Sequence, residues 1–186
     1  MRIVAGRWRG LKLAGLGDGD AEAHLRPTSD RVREALFNVL TQGAHGDRVE
    51  GARVLDLFAG TGALGLEALS RGAALAVFVD DGAAARALLR TNIEKARAGG
   101  IARVFRRDAT RLGENRDAPY DLVMLDPPYG QGLGEQALDS ARSGGWIAPG
   151  ATLVCEEGGG IAPPDWTRRL DERRYGGTTV TVLEAT

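Results

Sequence analysis

A short stretch in the second half of the chain places hydrogen-bond acceptors and an aromatic ring directly after an apolar segment. Residues 123–130 read VMLDPPYG, with Asp126, Pro127, Pro128 and Tyr129 following three apolar residues. Because neither proline can donate a backbone hydrogen bond and both keep the backbone extended, a strand ends here on a rigid platform. The Asp126 carboxylate and the Pro127 carbonyl can accept hydrogen bonds from an exocyclic amine, while Tyr129 can stack on a base turned out of its helix. The stretch indicates chemistry at a base amine; the structural alternative is a stiff turn.

A glycine-rich loop follows an earlier apolar stretch and opens a helix. Gly60, Gly62 and Gly65 have the spacing G-x-G-x-x-G, and Asp80 ends the next strand-like segment twenty residues after Gly60. This combination matches the fingerprint of an adenosine-containing cofactor, in which the glycines allow close backbone approach and the acid binds the ribose. A turn that served packing alone would not also place the acid. The loop therefore predicts a cofactor site.

Four carboxylates indicate which cofactor this site would take. Asp56 lies just before the glycine loop, and Asp80, Asp108 and Asp126 each end, or nearly end, one of the next three strand-like segments. In a doubly wound sheet such ends line one crevice. A dinucleotide pyrophosphate would need backbone N–H groups without nearby carboxylates. S-adenosylmethionine, which carries a sulfonium, an ammonium and two ribose hydroxyls, suits the acids better, and an NAD-dependent oxidoreductase remains the alternative of another chemistry.

The elements that must position these residues alternate from residue 53 onward. Strand-like and helix-like segments follow one another at 54–58, 63–71, 75–80, 83–98, 102–107, 120–126, 134–143 and 152–157. Strands that are apolar throughout and alternate with helices predict an α/β protein with a parallel sheet covered on both faces. The end of the chain differs, since two strand-like runs joined at Gly176 and Gly177 predict an antiparallel hairpin at one edge.

The first residues are basic and contain an aromatic side chain. Arg7, Trp8, Arg9 and Lys12 lie between two short apolar runs that predict a β-hairpin, and the first seventeen residues contain no acid. A cationic strip with an interleaved aromatic residue is a candidate surface for RNA phosphates. The alternative is a solvated hairpin in a chain that uses arginine throughout.

A helix is predicted after this hairpin. Thr28 is placed to cap its N-terminus, Asp30 lies in the first turn, and an apolar stripe follows from Val32 to Leu40. The intervening residues, which are rich in glycine and acidic residues, are predicted to form a loop.

Composition sets broad limits. The 186 residues, 43% hydrophobic and 26% charged with a net charge of −1, are typical of one soluble domain. No segment approaches the ~18 apolar residues of a membrane span and no signal-peptide core is visible, so a cytoplasmic protein that does not bind membranes is expected. One cysteine and two histidines predict no metal site, and Cys155 in VCEE is expected to be a core residue.

Three stretches resemble one known family. They are LRPTSDRVREALFNVL at 25–40, DLFAGTGALGLEALSRGA at 56–73 and DPPY at 126–129. They are similar to the RsmD-type family of small-subunit (16S) rRNA (guanine-N2) methyltransferases, which use S-adenosylmethionine. The resemblance implies a Rossmann-like, seven-stranded class I methyltransferase sheet, mostly parallel with an antiparallel C-terminal hairpin, plus a small N-terminal β-hairpin extension. It predicts a monomer with one domain, in which 1–25 form the hairpin and loop and 26–186 the catalytic core.

The resemblance also implies roles for individual residues. The predicted cofactor-binding set is Asp56, Phe58, Ala59, Gly60, Thr61, Gly62, Asp80, Asp108 and Ala109, together with Arg26 and Thr28 of a lid between cofactor and RNA. The predicted catalytic set is Asp126, Pro127, Pro128 and Tyr129, and the predicted RNA-binding set is Arg7, Trp8, Arg9, Lys12 and Arg31. The implied partner is rRNA of the small ribosomal subunit. An N6-adenine methyltransferase acting on DNA or RNA and a non-catalytic RNA-binding protein remain alternatives.

Overall fold

A computed structural model describes residues 1–15 and 29–186, and within these ranges it contains four α-helices, one 3₁₀ turn and seven strands. In chain order the elements are α1 (Asp30–Gln42), β1 (Arg53–Leu57), α2 (Ala63–Ser70), β2 (Leu75–Val79), α3 (Ala83–Lys95), β3 (Ala102–Phe105), a 3₁₀ turn (Ala109–Arg111), β4 (Tyr120–Leu125), α4 (Leu133–Ser143), β5 (Ile147–Glu157), β6 (Thr167–Tyr175) and β7 (Thr178–Ala185). The predicted roles of Arg26 and Thr28 lie outside the described residues.

The strands form one sheet in the order β3-β2-β1-β4-β5-β7-β6. Strands β1 to β5 pair in parallel, whereas β7 is antiparallel to both β5 and β6. The predicted parallel sheet and the predicted antiparallel hairpin at its edge are both confirmed. Since β1 lies between β2 and β4, the loops that follow these three strands leave the sheet side by side.

Both faces of the sheet are covered, as the uniformly apolar strands predict. Helices α1, α2 and α3 pack with the N-terminal residues on one face, and α4 packs with Trp146 and Ile161 on the other. Cys155 is a buried residue of the second cluster, as predicted. Within residues 1–15 and 29–186, no helix is long and apolar enough to cross a bilayer.

Most predicted boundaries agree with the structure to within a few residues, and three differ for local reasons. The cap of α1 is Ser29, whose Oγ accepts from the Val32 N–H at 3.3 Å, so the prediction of Thr28 as the cap was wrong. Helix α3 ends at Lys95 because Arg97 adopts a left-handed conformation with φ 52°. Strand β5 begins at Ile147, five residues before the predicted start at 152, because it continues through a register shift before Thr152.

The N-terminal residues form a short hairpin that lies directly on α2. The Ile3 N–H donates to the Leu11 carbonyl at 2.9 Å, the Gly10 N–H donates to the Ile3 carbonyl at 2.9 Å, and Arg2 pairs with Lys12. Helix α2 is buried at every position, because this hairpin and α1 cover the side that faces away from the sheet. The predicted boundary at residue 25 falls outside the described ranges and stays a prediction.

A buried carboxylate joins the hairpin to two helices. The side chain of Glu67, on α2, is 0% exposed and accepts from the backbone N–H groups of Val4 at 2.8 Å and Ala5 at 3.0 Å. Its oxygens also lie 2.8 Å from Nε of Arg71 and 3.5 Å from Nε of Arg33, which comes from α1. Arg33 in turn donates to the carbonyl of Arg2. One carboxylate thus holds the chain terminus, α1 and α2 together.

Removing this carboxylate should destabilise the fold strongly. Glu67→Ala removes the carboxylate that pairs with the nearly buried Arg71, and breaking a buried ion pair typically costs about 3–5 kcal/mol. Asp117→Ala is the matched control, because its side chain is 52% exposed, its partner Arg103 is 64% exposed, and surface pairs contribute about 0–1 kcal/mol. Equilibrium urea unfolding measures both changes. Equal losses in the two variants would contradict the role assigned to Glu67.

Candidate active site

Three loops meet at one edge because the strands that precede them are in register. Leu57 at the end of β1 pairs with Val79 of β2 on one side and with Leu125 of β4 on the other. The residues that come next are Phe58, Asp80 and Asp126, so these three leave neighbouring strands at the same level. The predicted cofactor loop and the predicted catalytic loop are therefore adjacent.

The glycine loop adopts a backbone that ordinary residues rarely take. Phe58, Gly60 and Gly62 all have positive φ, at 57°, 54° and 79°. A Cβ on Gly62 would also lie 2.4 Å from Cδ1 of Leu89, so glycine is required there both for conformation and for space. A left-handed Phe58 is strained, and such strain concentrates where a binding site requires it.

Asp56 lies beneath this loop. Its residue is 1% exposed, and its Oδ2 accepts from the N–H of Gly65, the third glycine of the fingerprint, at 2.9 Å. Burial, assisted by the charge of Asp80, raises the pKa of Asp56 to about 8, although the hydrogen bond from Gly65 acts in the opposite direction. The structure places this carboxyl where it holds the first turn of α2, directly after the loop, to β1, and a direct contact with a cofactor stays a prediction.

Asp80 also holds the loop, from the neighbouring strand. Its two carboxylate oxygens accept from the N–H groups of Gly60 and Gly82, each at 2.8 Å. Burial raises the pKa of Asp80, and these two hydrogen bonds oppose that change. Because a carboxylate offers about four acceptor sites, Asp80 can still accept from ribose hydroxyls.

A small cleft lies beside Asp80. Its lining residues are Phe58, Val79, Asp80, Asp81, Arg107, Asp108 and Ala109. Four of the predicted cofactor residues are therefore brought together, and Val79, Asp81 and Arg107 are additions. The Asp108 carboxylate caps the 3₁₀ turn by accepting from the side chain and the N–H of Thr110, which lowers the pKa of Asp108. In the part of the chain that the structure describes, no group of three or more potential ligands could hold a metal ion.

The predicted catalytic loop is held by the end of β5. Asp126 is half-buried, Pro127 is buried, and Pro128 and Tyr129 are exposed. The Tyr129 hydroxyl donates to Oε1 of Glu156 at 3.2 Å. Burial raises the pKa of this tyrosine well above its ordinary range, so the phenol stays protonated.

Four of the five predicted RNA-binding residues are exposed, and the fifth is half-buried. Arg7, Arg9 and Lys12 are exposed on the hairpin, and Arg31 is exposed on α1. Trp8 is half-buried against the core, and the Arg7 guanidinium lies 4.3 Å from the centre of its ring. Arg7 also donates to the carbonyl of Leu69 at 3.0 Å, so it has a structural contact that the sequence did not indicate.

Asn92 is a site residue that the sequence analysis missed. It lies fully buried on α3, where Nδ2 donates to the carbonyl of Thr61 in the glycine loop at 2.9 Å. The same side chain pairs with both backbone groups of Ala14, at 2.7 Å and 3.1 Å. Asn92 therefore joins the hairpin to the cofactor loop. A polar residue among the apolar positions of a predicted helix was the available signal.

The strand order and the adjacent glycine and Asp-Pro-Pro-Tyr loops define the class I methyltransferase fold. A family model described as Conserved hypothetical protein 95 matches residues 1–184. The chain belongs to this family, which is the RsmD family that its motifs resemble.

Named relatives and solved structures agree with this assignment. The Escherichia coli protein named Ribosomal RNA small subunit methyltransferase D is 39% identical over 171 residues, which cover 90% of this chain and 81% of the relative. The Haemophilus influenzae protein of the same name is 36% identical and covers 90% and 85%. The solved structure of yhhF from Escherichia coli superposes with a TM-score of 0.82 at 35% identity, covering 100% of this chain and 97% of that one.

Replacing Asp56 with Asn should change how stability depends on pH. Because burial raises the pKa of Asp56 from 3.8 to about 8, the folded protein retains a proton that the unfolded chain releases. The contribution of protonated Asp56 to the free energy of unfolding is fully present below about pH 4. This contribution is lost as the pH rises to about 8. Relative to Asp56→Asn, the parent should lose up to about 1.4 kcal/mol per pH unit in that window. Urea unfolding at several pH values measures the difference, and parallel profiles would contradict the prediction.

Proposed function

We propose that this protein transfers a methyl group from S-adenosylmethionine to the exocyclic N2 amine of a guanine in small-subunit rRNA. The observation that carries the proposal is the register of β1 with β4, which sets the glycine loop beside Asp126. Two relatives with 36–39% identity are named ribosomal RNA small subunit methyltransferases, which supports the same substrate class.

The residues of the cleft fit this cofactor better than a dinucleotide. Apolar surface from Phe58 and Ala109 and the carboxylates of Asp80 and Asp108 suit an adenosine with free hydroxyls. Two N–H groups that a pyrophosphate would need are already used, because Gly60 donates to Asp80 and Gly65 donates to Asp56.

Each part of the cofactor has candidate partners in this chain. Asp80 would accept from the ribose hydroxyls, Asp108 and Ala109 would contact the adenine edge, and the loop from Phe58 to Gly62 would hold the methionyl part. The bound cofactor would supply an electrophilic methyl on its sulfonium. Arg26 and Thr28 would close over it.

The catalytic loop would orient the amine. Asp126 and the carbonyl of Pro127 would each accept a hydrogen bond from the amine, turning the nitrogen lone pair out of the ring plane. Tyr129 would stack on the base. Because two prolines fix these groups relative to the sheet, rate enhancement would come mainly from orientation. The hairpin would bind RNA phosphates nearby, since Asn92 joins it to the cofactor loop.

The test is single-turnover methyl transfer to purified small ribosomal subunits and to bare small-subunit rRNA, with the modified nucleoside identified afterwards. Asp126→Asn should retain measurable activity, because an amide oxygen can still accept from the amine. Asp126→Ala should lose about 10²–10³ in rate, by analogy with the removal of one polar partner from an active site. The affinity for S-adenosylmethionine should be unchanged in both variants.

Several results would overturn the proposal. Recovery of N6-methyladenine would favour the adenine methyltransferase alternative, and binding of NAD in place of S-adenosylmethionine would favour an oxidoreductase. If Asp126→Ala transfers methyl at the parent rate, the loop is a stiff turn without a catalytic role.

The RNA-binding surface is tested by salt dependence. If Arg9 and Lys12 bind phosphates, the Arg9→Ala/Lys12→Ala variant should bind rRNA more weakly. The slope of log affinity against log salt should fall by about 0.7–0.9 for each phosphate that the variant no longer neutralises. Arg7 is not replaced, because its guanidinium donates to the carbonyl of Leu69 and so also contributes to the fold. Arg116→Ala, in the exposed loop that leads into the opposite end of β4, is the control. A slope equal to that of the parent would identify the hairpin as a solvated surface.

A further inference from the structure

Tyr129 combines an exposed ring with an anchored hydroxyl. Among the described residues it is the one large hydrophobic side chain classed as exposed, at 42%. Its hydroxyl lies 3.2 Å from Oε1 of Glu156 on β5 and 3.1 Å from Oγ1 of Thr178 on β7. The phenol can donate its proton to Glu156 while its oxygen accepts a hydrogen bond from the Thr178 hydroxyl. The tip of the side chain is therefore held from two different strands.

Gly158 approaches the same ring from the backbone that follows β5. A Cβ built on this glycine would lie 2.9 Å from Cδ2 of Tyr129 and 3.5 Å from Cγ. These atoms are at the base of the ring, which cannot move aside as the end of a long flexible side chain can. Any larger residue at position 158 therefore has to displace the ring of Tyr129 as a whole.

Gly159 differs from Gly158 in the space available for a side chain. A Cβ on Gly159 would meet nothing within 4 Å, and neither Gly158 nor Gly159 has a positive φ. An alanine is therefore compatible with the backbone at both positions, and the two positions differ in whether the added methyl meets Tyr129.

We propose that Gly158 and Thr178, together with Glu156, are positioning residues that fix the Tyr129 ring for stacking on the target base. The inference rests on the proposed function, which gives Tyr129 that task. An unanchored tyrosine could rotate about two side-chain bonds, whereas a ring held at its hydroxyl and against Gly158 presents one fixed surface. The end of β5 and the start of β7, which lie side by side in the sheet, thus determine where the base lies relative to Asp126.

The experiment compares Gly158→Ala with Gly159→Ala in single-turnover methyl transfer to small ribosomal subunits. Gly158→Ala should slow transfer by about tenfold or more, since a misplacement of about 1 Å can cost on the order of a hundredfold. Gly159→Ala should transfer at the parent rate. Affinity for S-adenosylmethionine should be the same in both variants, because a Cβ at either position would not contact the glycine loop.

A double-mutant cycle separates positioning of the ring from a general disturbance of the loop. In a Tyr129→Ala background there is no ring to displace, so adding Gly158→Ala should change the rate by less than about twofold. Thr178→Val removes the hydroxyl contact at nearly constant volume. It should slow transfer in the presence of Tyr129 and have no effect in Tyr129→Phe, which already lacks the hydroxyl.

The outcomes distinguish the positioning role from the proposed function. If the parent does not methylate guanine N2, the proposed function fails. If the parent is active but Gly158→Ala equals Gly159→Ala, or if Gly158→Ala slows the Tyr129→Ala protein just as strongly, the positioning role fails while the proposed function stands.

Discussion

The site depends on carboxylates that hold a strained backbone. The glycine loop turns through a left-handed conformation at Phe58, which a free chain would rarely adopt. Asp80, directly after β2, accepts from the N–H of Gly60 in this loop, and Asp56 of β1 accepts from the N–H of Gly65 in the first turn of α2, and these two hydrogen bonds compensate part of that strain. Because the strands are parallel and in register, this fixed loop lies beside the end of β4. Without that constraint the glycine loop and the Asp-Pro-Pro-Tyr loop would have no fixed position relative to each other.

A second set of buried polar contacts joins the basic hairpin to the same loop. Glu67 and Ser70 on α2 bind the hairpin backbone, and Asn92 on α3 binds both Ala14 and Thr61. Buried groups of this kind are costly unless fully paired, and when paired they favour one arrangement. The proposed RNA-binding surface is therefore rigidly placed with respect to the cofactor loop, which would help an enzyme that must bring a selected base to a fixed methyl donor.

The antiparallel strand β7 extends the sheet beyond β5 and also contacts the Asp-Pro-Pro-Tyr loop. Its first residue, Thr178, contacts the Tyr129 hydroxyl, while β5 supplies Glu156 to the same hydroxyl and Glu157 to the Gly130 N–H at 2.7 Å. The Asp-Pro-Pro-Tyr loop is thus supported along both its aromatic side chain and its backbone. Strands β5 and β7, which lie on the other side of β4 from the cleft beside Asp80, are in this way connected to the group proposed to bind the substrate base.

The sequence by itself determined the alternation of strands and helices, the glycine loop with Asp80, and the Asp-Pro-Pro-Tyr platform, because these signals are periodicities and short spacings within one segment. It could not reveal that Asp56 is bonded beneath the loop, that Glu67 holds the hairpin, or that Asn92 contacts Ala14. It also could not show that Gly158 lies against Tyr129. These relations join residues 9 to 78 positions apart, and packing decided which of many chemically possible partners met. A carboxylate or an amide can pair with any donor within reach, so only the tertiary structure selects one.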